Sequence, residues 1–75
     1  MLIPFLIILL ILDNNNEPLP GAKVEIVGTN KVCYTDLHGH CVVPSDCNVM
    51  VDYISYKTKV VSKDSLEYPI VLQPR

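Results

Sequence analysis

The feature that most constrains the fold is the stretch 15–24, with the sequence Asn-Asn-Glu-Pro-Leu-Pro-Gly-Ala-Lys-Val. Pro18 and Pro20 each lack a backbone N–H and have a fixed φ, so neither fits the interior of a helix or a central strand. Gly21 then allows backbone conformations that a residue with a Cβ resists. The sequence therefore predicts that one strand ends before this stretch, that a polar loop follows, and that a second strand begins at Ala22.

Length and composition indicate the class of protein. A chain of 75 residues predicts a single domain with a thin core. Apolar residues make up 49% and charged residues 19%, which is typical of a folded chain rather than a disordered one. The net charge is −2 and the basic residues are scattered, whereas nucleic-acid binding needs a basic stripe. We therefore expect no nucleic-acid partner.

Residues 1–12 are almost wholly apolar. They lack a positively charged start and a small-residue cleavage site, so they do not form a complete signal peptide, and they are shorter than the roughly 20 residues of a membrane-spanning helix. Three interpretations stay open: a core strand, the remnant of a signal or anchor, and a wrongly chosen start. We favour a strand over 6–12, because the segment is short and rich in Ile. Residues 1–5 are then an apolar lead to one domain over 6–75.

Short alternating segments between turn residues predict further strands. In the second segment Ala22, Val24 and Ile26 fall on one face, with period two. The sequence Asp36-Leu37-His38-Gly39 predicts a type I turn, with Asp at its first and Gly at its fourth position. We expect seven strands, at 6–12, 22–28, 31–35, 40–43, 47–53, 57–62 and 67–73. The predicted fold class is all-β, a seven-stranded antiparallel β-sandwich.

Several motifs in order resemble carboxypeptidase-regulatory-like domains, also called transthyretin-like or prealbumin-like domains. The resemblance covers about residues 7 to 73. The residues that carry it are Pro18, Pro20, Gly21, Ala22, Thr35, Asp36, Gly39 and Tyr56. The chain departs from the family in its first strand, where Leu9, Leu10 and Leu12 replace a Gly and polar residues. It also departs at Cys41, which replaces an aromatic residue, and at Ser55, which replaces a Gly.

The resemblance implies a prealbumin-like sandwich without a catalytic centre or a cofactor. Such domains lie beside the catalytic domain of metallocarboxypeptidases and precede the plug of TonB-dependent outer-membrane receptors in some Gram-negative bacteria. The Pro-Leu-Pro-Gly-Ala form is more similar to the receptor version. The resemblance thus implies a non-catalytic accessory or interaction module that binds a protein partner and faces the periplasm or outer membrane. It further implies a fragment or a stand-alone copy of the N-terminal domain of such a nutrient receptor.

An alternative function uses the polar turn at 36–41. His38, His40 and Cys41 could serve a small metal- or thiol-dependent protein, since His and Cys side chains are zinc ligands. Against this, tetrahedral zinc needs four converging ligands, and neither His has an evident orienting partner for catalysis. We therefore expect no catalytic residue, no bound metal and no small-molecule substrate.

The three cysteines leave the redox state open. Cys33 and Cys41 lie symmetrically about the predicted turn, so in a hairpin they would be cross-strand neighbours. They could form a disulfide or remain two buried thiols. One intramolecular disulfide would leave one of the three thiols over.

The first strand provides the candidate interface. If it is an edge strand, only alternate residues face the core. We assign Ile7, Leu9 and Ile11 to the inner face. The outer face then carries Leu6, Ile8, Leu10 and Leu12. An apolar edge strand favours pairing with another chain, so we expect this strand to be covered by a protein partner or by self-association.

Overall fold

The computed structural model describes residues 6–65 and 68–75. The strands in this range are β1 (Leu6–Leu12), β2 (Lys23–Ile26), β3 (Val32–Tyr34), β4 (His40–Pro44), β5 (Val49–Asp52), β6 (Lys59–Val61) and β7 (Ile70–Val71). A single turn of 3₁₀-helix, Lys63–Ser65, precedes β7. The described chain is thus all-β, and the predicted strand over 6–12 is confirmed with the same bounds. The predicted start of the last strand, Glu67, lies outside the described residues.

The strands form two sheets. One is three-stranded, in the order β4-β1-β7, and the other is four-stranded, in the order β3-β2-β5-β6. Side chains from both sheets meet in one core, whose members are Leu9, Ile11, Leu19, Ala22, Val24, Ile26, Cys41, Val43, Val49, Val51, Val61, Ile70 and Leu72. The small sandwich-like architecture predicted from the sequence is therefore observed.

The second strand shows why period-two patterning was informative. Ala22 and Val24 are fully buried and Ile26 is 6% exposed, as predicted. Lys23 and Glu25 lie on the other face, half-buried, with 3.9 Å between the Lys23 Nζ and a Glu25 carboxylate oxygen. Alternation thus correctly separates the core face from the solvent face of this strand.

The predicted fold needs three corrections, of which two concern the pairing of β1. The sheets are not purely antiparallel, because β1 pairs with β7 in parallel through Ile11 and Leu12. Nor is β1 an edge strand, because β4 flanks it on one side along Leu6–Leu10 and β7 flanks it on the other. Pairing with the distant segment at 70–71 brings the strand inside the sheet, and nothing local in the sequence specifies that pairing.

A third correction concerns Cys33 and Cys41. The sequence placed them on one hairpin, but β3 pairs with β2, whereas β4 pairs with β1 in the other sheet. The two cysteines form a disulfide, with their Cα atoms 6.3 Å apart. The bond therefore joins β3, at one edge of its sheet, to β4, at one edge of the other sheet, rather than two neighbouring strands of one sheet.

Candidate interaction surface

The outer face of the three-stranded sheet carries exposed apolar side chains. Leu6 is 69% exposed and Ile8 57%. Val42 of β4 lies directly across from Ile8 and is 52% exposed. We call Leu6, Ile8 and Val42 the β1 surface. None of its side chains is charged, and their exposure contributes nothing to the stability of the folded chain.

The other two predicted interface residues, Leu10 and Leu12, are less exposed than Leu6 and Ile8. Leu10 lies across from His40, and both are half-buried. Leu12 is only 8% exposed, so its assignment to an exposed face was wrong. It lies outside the main core cluster, but Val71 of β7 pairs with it on one side and Pro18 on the other. Those two partners cover a side chain that the sequence pattern alone placed in solvent.

The assigned inner face of β1 is confirmed by burial. Leu9 is 1% exposed and Ile11 is fully buried, while Ile7 is half-buried and packs against the core. The sequence pattern did not single out Val42, although the alternation of Cys41 and Val43 around it indicates an outward side chain. Both of those neighbours are buried, at 3% and 1% exposure.

The backbone of β1 is open on one side over part of its length. The N–H of Ile11 donates to the Gly39 carbonyl on the β4 side, at 2.8 Å, and the Leu12 carbonyl accepts from Leu72 on the β7 side, at 2.9 Å. Because these directions alternate along a strand, Leu6 and Ile8 direct their N–H and C=O groups away from β4. Strand β7 reaches only Ile11 and Leu12, so no described strand pairs with these groups.

In the described part of the chain, the edge strands β3, β4 and β6 carry features that protect a sheet edge. Strands β3 and β4 are joined by the disulfide, and β4 ends in Pro44, which has no N–H to offer. Strand β6 has three residues and contains Lys59, whose Nζ lies 3.5 Å from the Val71 carbonyl oxygen of the other sheet. Shortness, proline and lysine are common ways to protect an edge. The segment Leu6–Leu10 has none of them.

Residues of the motif described above connect the loop after β1 to strands of both sheets. The buried Thr35 hydroxyl donates to the Leu19 carbonyl and accepts from the Ala22 N–H at 2.8 Å. The Thr35 backbone adds bonds to Ala22 at 3.0 Å and to Gly21 at 2.9 Å. Pro18 forms the bridge to Leu12 already described, whereas Pro20 is exposed in the same loop. These residues therefore position strands.

Tyr56 has a comparable structural role near the end of the chain. It is half-buried, its ring meets that of Tyr53 edge-on at 5.8 Å, and it forms a bridge with Pro74. Its carbonyl accepts a hydrogen bond from Arg75 Nε at 2.9 Å. Tyr56 thus attaches the terminal segment to the core.

The turn predicted at 36–39 is present, and its hydrogen bonds repeat those of the loop at 13–17. In each, the Asp Oδ1 accepts from the N–H groups two and four residues ahead, at distances of 2.8 to 3.0 Å. Each Asp carbonyl also accepts from the third N–H ahead, at 3.0 Å, and that residue has positive φ: 62° at Asn16 and 77° at Gly39. Hydrogen bonds from His40 and then His38 lower the pKa of the Asp36 carboxyl below its ordinary 3.8.

The structure does not bring the proposed metal or thiol residues together. The His38 and His40 ring centroids are 6.4 Å apart, and His40 lies on the outer side of β4. Cys41, the next residue, points into the core and is bonded to Cys33. Within residues 6–65 and 68–75, no group of three His, Cys, Asp or Glu side chains could hold a metal ion.

Cys47 is a free, half-buried thiol. Desolvation raises its pKa above the ordinary 9.0, and the Asp46 carboxylate, with Oδ1 3.6 Å from the Cys47 Sγ, raises it further. A protonated thiol is a weak nucleophile. The geometry therefore favours a packing role for Cys47.

Comparison with known proteins adds no relative. No protein-family model matches the chain, and no curated protein matches its sequence.

The described residues contain no pocket, and they include no helix long and apolar enough to cross a membrane.

Proposed function

We propose that this protein is a non-catalytic β-sandwich module that binds a protein chain through the β1 surface. The observation that carries the proposal is that exposed apolar side chains coincide, at Leu6 and Ile8, with backbone groups that no described strand pairs on the side away from β4. An extended chain that pairs with such an edge gains main-chain hydrogen bonds and buries apolar side chains in one contact. Soluble proteins rarely leave both features uncovered.

The prealbumin-like topology and the relation to outer-membrane receptors belong to this proposal. They are supported by the ordered motif residues, of which Thr35 and Pro18 join the loop after β1 to both sheets. A location in the periplasm or at the outer membrane is supported by the Cys33–Cys41 disulfide, because disulfides persist in oxidising compartments. A neighbouring reading frame encoding a plug and a barrel would support the receptor relation.

Photo-crosslinking in the source cell tests the binding function. A photoreactive residue replaces Ile8, and in a matched control it replaces Val60, which is 65% exposed on the other sheet. Mass spectrometry then identifies the attached peptides. We expect peptides from one defined protein at position 8 and only scattered background at position 60. Equal background at both positions would refute the proposed function.

A further inference from the structure

We propose that the Cys33–Cys41 disulfide is a site of thiol–disulfide exchange, at which an external thiolate attacks the Cys33 sulfur and releases Cys41. The proposal does not depend on binding at the β1 surface. It starts from the different access to the two sulfurs. Cys41 is 3% exposed and belongs to the core, whereas Cys33 is half-buried and packs against the core from β3, an edge strand. The Cys33 Sγ lies 3.9 Å from the carbonyl oxygen of Tyr34, which is 64% exposed.

Access decides which sulfur is attacked. An attacking thiolate must reach a sulfur directly, so the rate of exchange depends on the exposure of that sulfur. In the folded chain Cys33 offers this access and Cys41 does not. Attack at Cys41 would release the better-solvated Cys33 thiolate, but it requires the core to open around Cys41 first. The geometry therefore favours attack at Cys33.

The exchange step has a defined balance of bonds and electrons. The attacking thiolate forms a bond to the Cys33 Sγ, and the Cys33–Cys41 bond breaks. Its electron pair leaves on the Cys41 Sγ, which takes a proton from water and becomes a buried thiol that packs as a small apolar group. A second thiol then displaces the Cys33 thiolate from the mixed disulfide. In total one disulfide is reduced, and two external thiols are oxidised to a disulfide.

The attacking thiolate comes from another molecule. The chain has one more thiol, Cys47, and desolvation raises its pKa above the ordinary 9.0, so that it is a weak nucleophile near neutral pH. A small thiol and the exposed active-site cysteine of an oxidoreductase present the same attacking group.

Hydrogen bonds close the loop between the two cysteines independently of the disulfide. The Asp36 Oδ1 accepts from the N–H groups of His38 and His40 at 2.9 and 3.0 Å, and the Asp36 N–H donates to the His40 carbonyl at 3.0 Å. The Thr35 hydroxyl accepts from the Ala22 N–H of the other segment at 2.8 Å. These bonds keep the connection between β3 and β4 in place when the disulfide opens, so exchange takes place on a folded chain.

Peptide mapping after reaction with glutathione tests the proposal. The oxidised 75-residue chain is treated with N-ethylmaleimide to block Cys47, and reduced glutathione is then added in native buffer. A second portion of N-ethylmaleimide stops the reaction. Cleavage after Lys31 and before Asp36 and Asp46 puts each cysteine on its own peptide for mass spectrometry. We expect glutathione on peptide 32–35 and maleimide on peptide 36–45, exceeding the reverse distribution by roughly tenfold or more.

Two further arms use the same readout. Reduced thioredoxin replaces glutathione, and the larger rate constant per thiolate distinguishes an oxidoreductase from a small thiol as the attacking molecule. The matched variants Cys41→Ala and Cys33→Ala each lose the same bond and keep one of its two thiols. With oxidised glutathione, the Cys33 thiol of the first should react roughly tenfold faster than the Cys41 thiol of the second. Circular dichroism checks that both variants, and the parent carrying glutathione, retain the β-sheet spectrum.

Three outcomes would overturn the proposal. One is glutathione found equally on both peptides, or mainly on peptide 36–45. Another is equal reactivity of the two single variants while both are folded. The third is a rate of exchange in the parent that rises with urea as steeply as the unfolded population does, because the bond is then reached only through unfolding. A rate that is nearly constant at low urea supports attack on the folded chain.

Discussion

Replacing Gly39 by Ala tests the connection between the 36–40 turn and the rest of the fold. Gly39 has a φ of 77°, a region that costs a residue with a Cβ about 1 kcal/mol. A Cβ built at this position would also lie 2.6 Å from the Ile11 carbonyl oxygen, which is backbone and cannot rotate away. The turn or β1 must therefore shift.

That shift weakens two hydrogen bonds. The Ile11 N–H donates to the Gly39 carbonyl at 2.8 Å, and the Ile11 carbonyl accepts from Leu19 at 3.0 Å. At about 1 kcal/mol each, these bonds and the φ cost sum to about 3 kcal/mol. Gly28→Ala is the matched control, because Gly28 has a φ of 86° and nothing lies within 4 Å of its added Cβ. It should cost about 1 kcal/mol.

Urea unfolding at one low protein concentration measures both variants, since self-association would otherwise change the apparent stability. Gly39→Ala should unfold with a free energy about 2 kcal/mol below that of Gly28→Ala, equivalent to roughly 8–16 °C in Tm. If the two variants lie within about 0.5 kcal/mol of each other, the close approach of Gly39 to β1 is refuted.

Four further changes have defined outcomes. Ser55→Gly should raise the free energy of unfolding by about 0.5–1 kcal/mol, because Ser55 has a φ of 69°; an unchanged urea midpoint would contradict this. Thr35→Val should cost about 2–3 kcal/mol in the same assay, since it leaves a buried N–H and a buried carbonyl unpaired. Replacing Cys33 and Cys41 together by Ala should lower stability by about 2–3 kcal/mol, as expected for a closed loop with a sequence separation of 8, and calorimetry under oxidising conditions checks it. The pKa of Asp36 is lowered in the folded chain, so the carboxylate's contribution to folding stability is present above the unfolded pKa and is lost as pH falls through the folded pKa. The Tm of Asp36→Asn should therefore vary less with pH below about 4 than the Tm of the parent.

Local patterns predicted local structure well. The bounds of β1, the inward residues of β2 and the Asp36–Gly39 turn all follow from apolar alternation and turn chemistry, which act over a few residues. The exposure of Ile8 was also predicted, because the strand period fixes which residues share a face.

Long-range pairing could not be predicted in the same way. Leu12 is covered because Val71 lies beside it, nearly 60 residues further along the chain. The sequence left open whether Cys33 and Cys41 form a disulfide. The predicted hairpin around them was wrong, because the turn at 36–39 carries the chain from one sheet to the other. Each of these features depends on which strands become neighbours, and a short apolar segment such as Ile70–Val71 does not encode its partner.

The departures from the family-like motif differ in what they do. Cys41, where the resemblance implies an aromatic residue, is buried and is bonded to Cys33 of the opposite sheet. Ser55 stands where a Gly is expected and retains positive φ, so that departure costs stability. The apolar first strand is partly explained by packing, since Leu9 lies in the core. Packing does not explain Ile8, whose side chain is exposed, and the contact with another chain that we propose would account for it.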